Sequence, residues 1–176
     1  MDRDPVSRRT ALGLPGEHSA HERLGYDASS RTVIVWRGEA EARGGQLWLR
    51  RPGEPRYERL VELLENAPIA VERVLAWQIA EHGRLFALVG TGAEEPVSGP
   101  TVHQELVLFD LYAGEASWLL HRDAWIADVV GTIDEDPIVV LAQRQPSGFL
   151  RHVVARILWA SKMIEELHVL EGVGGV

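Results

Sequence analysis

The chain has 176 residues with 18 basic and 26 acidic side chains, a formal net charge of −8, and 45% hydrophobic content. Such proportions fit a globular domain with one real core and exclude a collagen-like repeat and wholesale disorder. Cysteine is absent, which excludes disulfides, thiolate metal ligands and a Cys nucleophile, while the acidic balance lacks the basic face that duplex nucleic acid requires.

At the N-terminus, Ser7-Arg8-Arg9-Thr10-Ala11-Leu12 has the letters of a twin-arginine export signal. The segment Gly13-Leu14-Pro15-Gly16-Glu17-His18 follows it, where an export signal needs an uninterrupted apolar stretch. The expectation is therefore a polar tail over 1–20, a single β-rich domain over 21–172 and a frayed end at 173–176. No apolar run approaches the roughly 20 residues of a membrane-spanning helix. A cytoplasmic location without a transmembrane segment is the matching expectation.

Three segments share one local grammar. Arg31 to Trp36 follows a turn at Asp27-Ala28-Ser29-Ser30, Arg84 to Val89 follows Glu81-His82-Gly83, and Pro137 to Ala142 follows Asp134-Glu135-Asp136. Each is rich in β-branched or aromatic residues and is entered through turn formers, which predicts a strand. None alternates with polar residues, so each should be buried on both faces. Their starts, 31, 84 and 137, are separated by 84 − 31 = 53 and 137 − 84 = 53 residues, the constant spacing of a repeat.

Strands are also predicted before each buried run, around Leu24-Gly25-Tyr26, Val74 to Ala80 and Ala127 to Ile133. After it come a further strand and a returning one. These are Gln46 to Leu49 with Tyr57 to Leu64, Glu105 to Leu111 with Ser117 to Leu120, and His152 to Trp159 with Met163 to Leu170. The result is a mostly β protein of three repeated four-stranded antiparallel meanders. From Tyr26-Asp27-Ala28 through Val35-Trp36 to Leu47-Trp48-Leu49, the first unit resembles a kelch-type blade, and the whole pattern resembles β-propeller repeats. Trp36 is followed by Arg37-Gly38 instead of a double glycine, and no Trp-Asp dipeptide marks a WD-type blade. The resemblance implies a surface for protein partners. Because propellers close with four to eight blades, it also implies self-association or a place in a larger assembly.

An α+β arrangement is the alternative. Leu60, Leu63, Leu64 and Ala67, and then Val71, Val74, Leu75, Gln78 and Ile79, fall at helical spacing, predicting helices near 57–82. Ser161 and Gly172 would bound another over 161–171.

The chemical motifs each lack a necessary part. Gly90-Thr91-Gly92 is followed at the third glycine position of a dinucleotide loop by Glu95, whose charge repels pyrophosphate. His121-Arg122-Asp123 has the letters of a kinase catalytic loop, but Lys162 is the only lysine and lies downstream. His18 and His21 are three apart but lie in the expected tail with no third ligand at an informative spacing, the other five histidines are scattered, and Asp134-Glu135-Asp136 lacks a calcium loop's glycine. Ser98 lacks a nucleophile elbow. The reading therefore assigns no catalytic residue, no metal and no cofactor.

The leading expectation is a non-catalytic protein-interaction or assembly module. The alternative is a small-ligand or carbohydrate-binding protein, or a hydrolase, whose site lies on the 90–103 loop and uses Glu94, Glu95, His103 and Trp125. Paired carboxylates beside an aromatic platform suit sugar chemistry. Most of the six tryptophans are assigned to the core, and Trp125, beside a charged turn, is the foremost candidate for an exposed binding anchor.

Overall fold

The computed structural model describes residues 21–38, 44–91, 104–119 and 125–170. Strands account for 63% of these residues. Twelve occur in order: β1 (Glu22–Asp27), β2 (Thr32–Gly38), β3 (Gly45–Arg50), β4 (Glu58–Arg59), β5 (Arg73–Ala80), β6 (Arg84–Gly90), β7 (Gln104–Asp110), β8 (Ala116–Trp118), β9 (Trp125–Ile133), β10 (Asp136–Arg144), β11 (Leu150–Leu158) and β12 (Met163–Leu170). A single helical turn, α1 (Leu60–Leu63), lies between β4 and β5. The strands form an eight-stranded antiparallel sheet, ordered β1-β2-β3-β5-β6-β7-β8 with β4 on β3, and a four-stranded sheet ordered β12-β11-β10-β9. No closed sheet occurs among the described residues.

Local sequence explains the tight connections. Ile133 pairs with Asp136 across a two-residue turn in which Asp134 and Glu135 both have positive φ, 46° and 70°. That is the mirror-image turn geometry whose twist matches paired strands. Gly83 has φ +73°, and a Cβ there would lie 2.5 Å from the Tyr112 ring, so any larger residue would be strained and would push that ring aside. At Gly25 on β1, an added Cβ would lie 2.9 Å from the Trp77 indole of β5. The missing side chain lets the indole pack directly on the first strand.

Alternation divides the apolar residues between two cores. In the larger sheet, Leu85, Ala87 and Val89 of β6 and Val107 and Phe109 of β7 face a core shared with Ile34, Leu47, Leu49, Val74 and Trp77. Leu60 and Leu64 complete this core, which is why the chain forms a helical turn there. The intervening residues Phe86, Leu88 and Leu106 face the other way. They pack against Ile126, Val129, Val139, Leu141, Val153, Ala155 and Ile157 of the smaller sheet. Every residue of β6 after Arg84 is buried, as a strand without polar alternation requires. Phe86 and Trp159 meet edge to face across this seam, with centroids 5.2 Å apart.

The helical alternative does not hold. Over 57–82, β4, the four-residue α1 and β5 replace the predicted helices, and over 161–171 the chain forms β12. The physical reason is the same in both places. Val74 pairs with Val89 and Ala76 with Leu88, leaving Leu75 as an extra residue; Val154 pairs with His168 and Ala155 with Glu166, leaving Leu167 extra. Each bulge adds one residue to a two-residue period. Val74 and Trp77 thereby reach one core at a spacing of three, which imitates a helix. The returning segment predicted over 57–64 is strand only at Glu58–Arg59.

Phe86 is fully buried at the seam. Phe86→Ala should lower the unfolding free energy by about 3–5 kcal/mol, read by urea titration. Gly25→Ala should cost about 1–3 kcal/mol by forcing the Trp77 ring aside, although the group added is only a methyl.

Candidate functional site

Two kinds of surface stand out: a rim where turns from different strand pairs meet, and the outward sheet faces at the ends of the array. The rim begins at Asp27, the buried last residue of β1. Its carboxylate accepts a 2.6 Å hydrogen bond from the Ser30 backbone N–H and bonds of 2.8 and 3.0 Å from the Ser29 hydroxyl. The Ser30 hydroxyl in turn donates to Thr32 Oγ1 at 2.9 Å. Burial alone would raise the Asp27 pKa, but the Ser30 and Ser29 hydrogen bonds outweigh it and hold the carboxyl below its ordinary 3.8.

The neighbouring β5–β6 and β9–β10 turns are joined by charge. Glu135 Oε1 lies 3.1 Å from His82 Nε2, and Arg84 Nη1 donates to Glu135 Oε2 at 2.6 Å. Glu81, His82 and Glu135 bring three potential ligand atoms within 4.8 Å of one another. An imidazole and two carboxylates are chemically able to hold a divalent cation. Here the Arg84 guanidinium already neutralises Glu135, so the group acts first as a clamp between turns. His82 and Glu135 lie 135 − 82 = 53 residues apart. The sequence reading considered them separately, although equivalent turns at the repeat spacing were the signal that they would meet. On the far side of the β9–β10 turn, Arg156 bonds Asp136 at 3.1 Å, and Asp136 also accepts the Trp159 backbone N–H at 2.9 Å.

Glu94, Glu95 and His103 lie outside the described residues, as does most of the 90–103 loop. Trp125 opens β9 opposite Ala142 and is half-buried. Trp77 and Trp159 belong to the two cores and Trp48 to a small buried cluster on the other face of β3, whereas Trp36 and Trp118 are half-buried at the margin of the first core. The sole lysine, Lys162, places its Nζ 3.4 Å from the centroid of the Trp159 ring. Burial lowers its pKa, opposed by the charge of Glu105. The ammonium sits over the indole face, where the ring quadrupole attracts it.

Strand register defines the outward faces. On β1–β3, Leu24 pairs with Val35 and Tyr26 with Val33, while Val35 pairs with Trp48. These residues therefore share the face opposite the first core. Val35 and Trp48 form a small cluster with Tyr57, and Leu24 and Tyr26 extend it into solvent at 72% and 59% exposure. On the smaller sheet, Ile138, Val140, Val154 and Leu158 alternate with the core residues and point away from the seam, with Met163 opposite Leu158. Met163 is 62% exposed. Sequence reasoning expected terminal faces of this kind but did not single out these residues.

No protein-family model, curated protein or solved structure matches this chain. No helix among the described residues is long and apolar enough to cross a membrane.

Because the Asp27 pKa is lower folded than unfolded, the unfolded state binds its proton first as pH falls. Its contribution is therefore fully present above about pH 4 and is lost as pH drops through the folded value. Asp27→Asn should destabilise the chain by about 1–3 kcal/mol at pH 6. The gap between this variant and the unmodified chain should narrow at about pH 2, as urea titrations at the two pH values will test.

Proposed function

We propose that the chain is a non-catalytic protein-interaction module, working as a subunit of a homo-oligomer or larger assembly. One observation carries this reading: large apolar side chains are exposed on ordered strands at both ends of the sheet array, Leu24 and Tyr26 on β1 and Met163 on β12. Scattered exposed apolar residues are ordinary, but Leu24 lies opposite buried Val35 and Met163 opposite half-buried Leu158, so each carries an apolar sheet face out into solvent, where association sites lie.

A propeller-like arrangement supports the same reading. The pairings β1 to β4, β5 to β8 and β9 to β12 follow chain order, and among the described residues Gly45↔Val74 is the one backbone pair that joins the first group to the second. The strands after the first turn of each group, β2, β6 and β10, begin at 32, 84 and 136, two steps of 52 residues (84 − 32 and 136 − 84). The middle group packs one face against each neighbour, as blades do. Three such units have two outer faces left over, and apolar faces of this sort are what assembly covers.

Leu24→Asp and Met163→Asp change side chains that are mostly in solvent, so each should alter stability by no more than about 0.5 kcal/mol. Both should weaken association of the chain with itself or its partner. Sedimentation of the full chain at micromolar concentration, with and without each change, provides the test. A monomer that neither self-associates nor forms a complex with a purified candidate partner would remove the basis of this reading.

A further inference from the structure

The two outward faces differ in charge. On the β1–β3 face, Arg37 pairs with Glu22 at 3.0 Å and Arg59 pairs with Glu62. Among the described residues Arg50 has no carboxylate partner, and it lies over the Tyr57 ring at 5.3 Å. Its guanidinium leaves one uncompensated positive charge beside Val35, Trp48 and Tyr57. On the smaller sheet, Val140 pairs with Asp128 and Arg156 with Glu165, so both carboxylates lie on the outward face. Arg156 is occupied by Asp134 and Asp136. Asp128 accepts only its neighbour's backbone N–H, from Val129, and Glu165 has no cation within ion-pair distance among the described residues. One end of the array thus exposes Leu24 and Tyr26 on the same face as a spare cation, Val35 and Trp48 of that face being already buried, and the other exposes Met163 on the same face as two spare anions.

We propose that two copies of this chain join head to tail, the outward β1–β3 face of each seating on the outward β9–β12 face of the other. This deepens the interaction reading above and rests on it. An interface between unlike faces generates a ring if the rotation closes and a filament if it does not. Two sets of three units make six, within the range of four to eight at which blades close, and the closed pair covers Leu24, Tyr26 and Met163, which the single chain leaves exposed. A like-with-like dimer would instead put Asp128 and Glu165 of one copy against the same two residues of the other. Like-charge contacts of that kind select against the wrong pairing.

The geometry has a distinctive consequence for mixtures. Arg50→Glu alone sets a carboxylate against Glu165 at both contacts of a pair, and Glu165→Arg alone sets two guanidinium groups together at both. A mixed pair of the two variants has one contact with opposite charges exchanged and one as in the unmodified chain, so neither contact is repulsive. Sedimentation equilibrium should therefore show the unmodified chain at twice its 19.6 kDa mass. Each variant should dissociate at least about tenfold more readily, and an equimolar mixture should recover the dimer. Recovery also shows that both variants fold. Should Arg50→Glu fail to fold, Leu24→Arg substitutes for it, since Leu24 is 72% exposed; it should break the dimer alone.

An unmodified chain that associates equally well with either charge reversal, or a mixture no better than its components, overturns the head-to-tail pairing while leaving an interaction module. A monomer whose outward faces are instead covered by residues 1–20, or by a different protein, also overturns it. A monomer whose faces bind nothing overturns the interaction reading as well.

Discussion

The burial of β6 on both faces is the constraint from which the remaining architecture follows. A strand running Arg84-Leu85-Phe86-Ala87-Leu88-Val89-Gly90, with every residue after Arg84 buried, cannot sit on the surface of a two-layer protein. It needs one apolar layer on the side of Leu85, Ala87 and Val89 and another on the side of Phe86 and Leu88. Strands β2 and β3 with α1 supply the first layer, and the β9–β12 sheet supplies the second. Each supplying layer must be apolar toward β6, and each is itself a sheet with a second side. The outward faces thus arise as a by-product of covering one central strand twice, and their composition decides whether water or protein meets them.

Charge organises the margins of this stack where apolar contact cannot. Asp27 closes its own turn with serine hydrogen bonds, while Glu135 reaches the preceding turn through His82 and Arg84. Asp136 ties Arg156 to the start of the turn after β11. These carboxylates all sit at strand ends, where backbone groups leave the sheet ladder and need other partners. Salt links at exposed positions stabilise little individually, yet they fix which turn lies beside which.

Much of the strand pattern was legible in the sequence because β-branched runs bounded by Asp, Ser and Gly are strong local signals. The buried runs entered at Asp27, His82-Gly83 and Asp134-Glu135 became β2, β6 and β10 within one residue of their expected starts. The bulges were not legible. Leu75 and Leu167 look like core positions of a helix, and nothing local shows that a partner strand will leave them unpaired. The residues of the outward faces were not legible for a related reason: whether Leu24 or Met163 points into a core depends on register with another strand, a long-range property. Of the site residues chosen from sequence, Trp125 alone can be placed, at the start of β9. The rim cluster joins His82 to Glu135, far apart in the chain, and the repeat spacing of their turns was the one sequence signal of that juxtaposition.

The single bridge between Gly45 and Val74 gives the larger sheet an uneven grain. Ladders within β1–β3 and within β5–β7 run six or seven pairs long, but among the described residues the ladder joining them has one. Native proteins open in cooperative pieces whose borders follow weakly tied seams. On the described pairings, β1–β4 is the segment expected to lift as a unit, held to β5 and β6 by side-chain packing around Trp77 and by that one bridge. Amide protons of β2 and β3 would then exchange together and sooner than those of β6, so hydrogen exchange would divide a sheet that looks continuous.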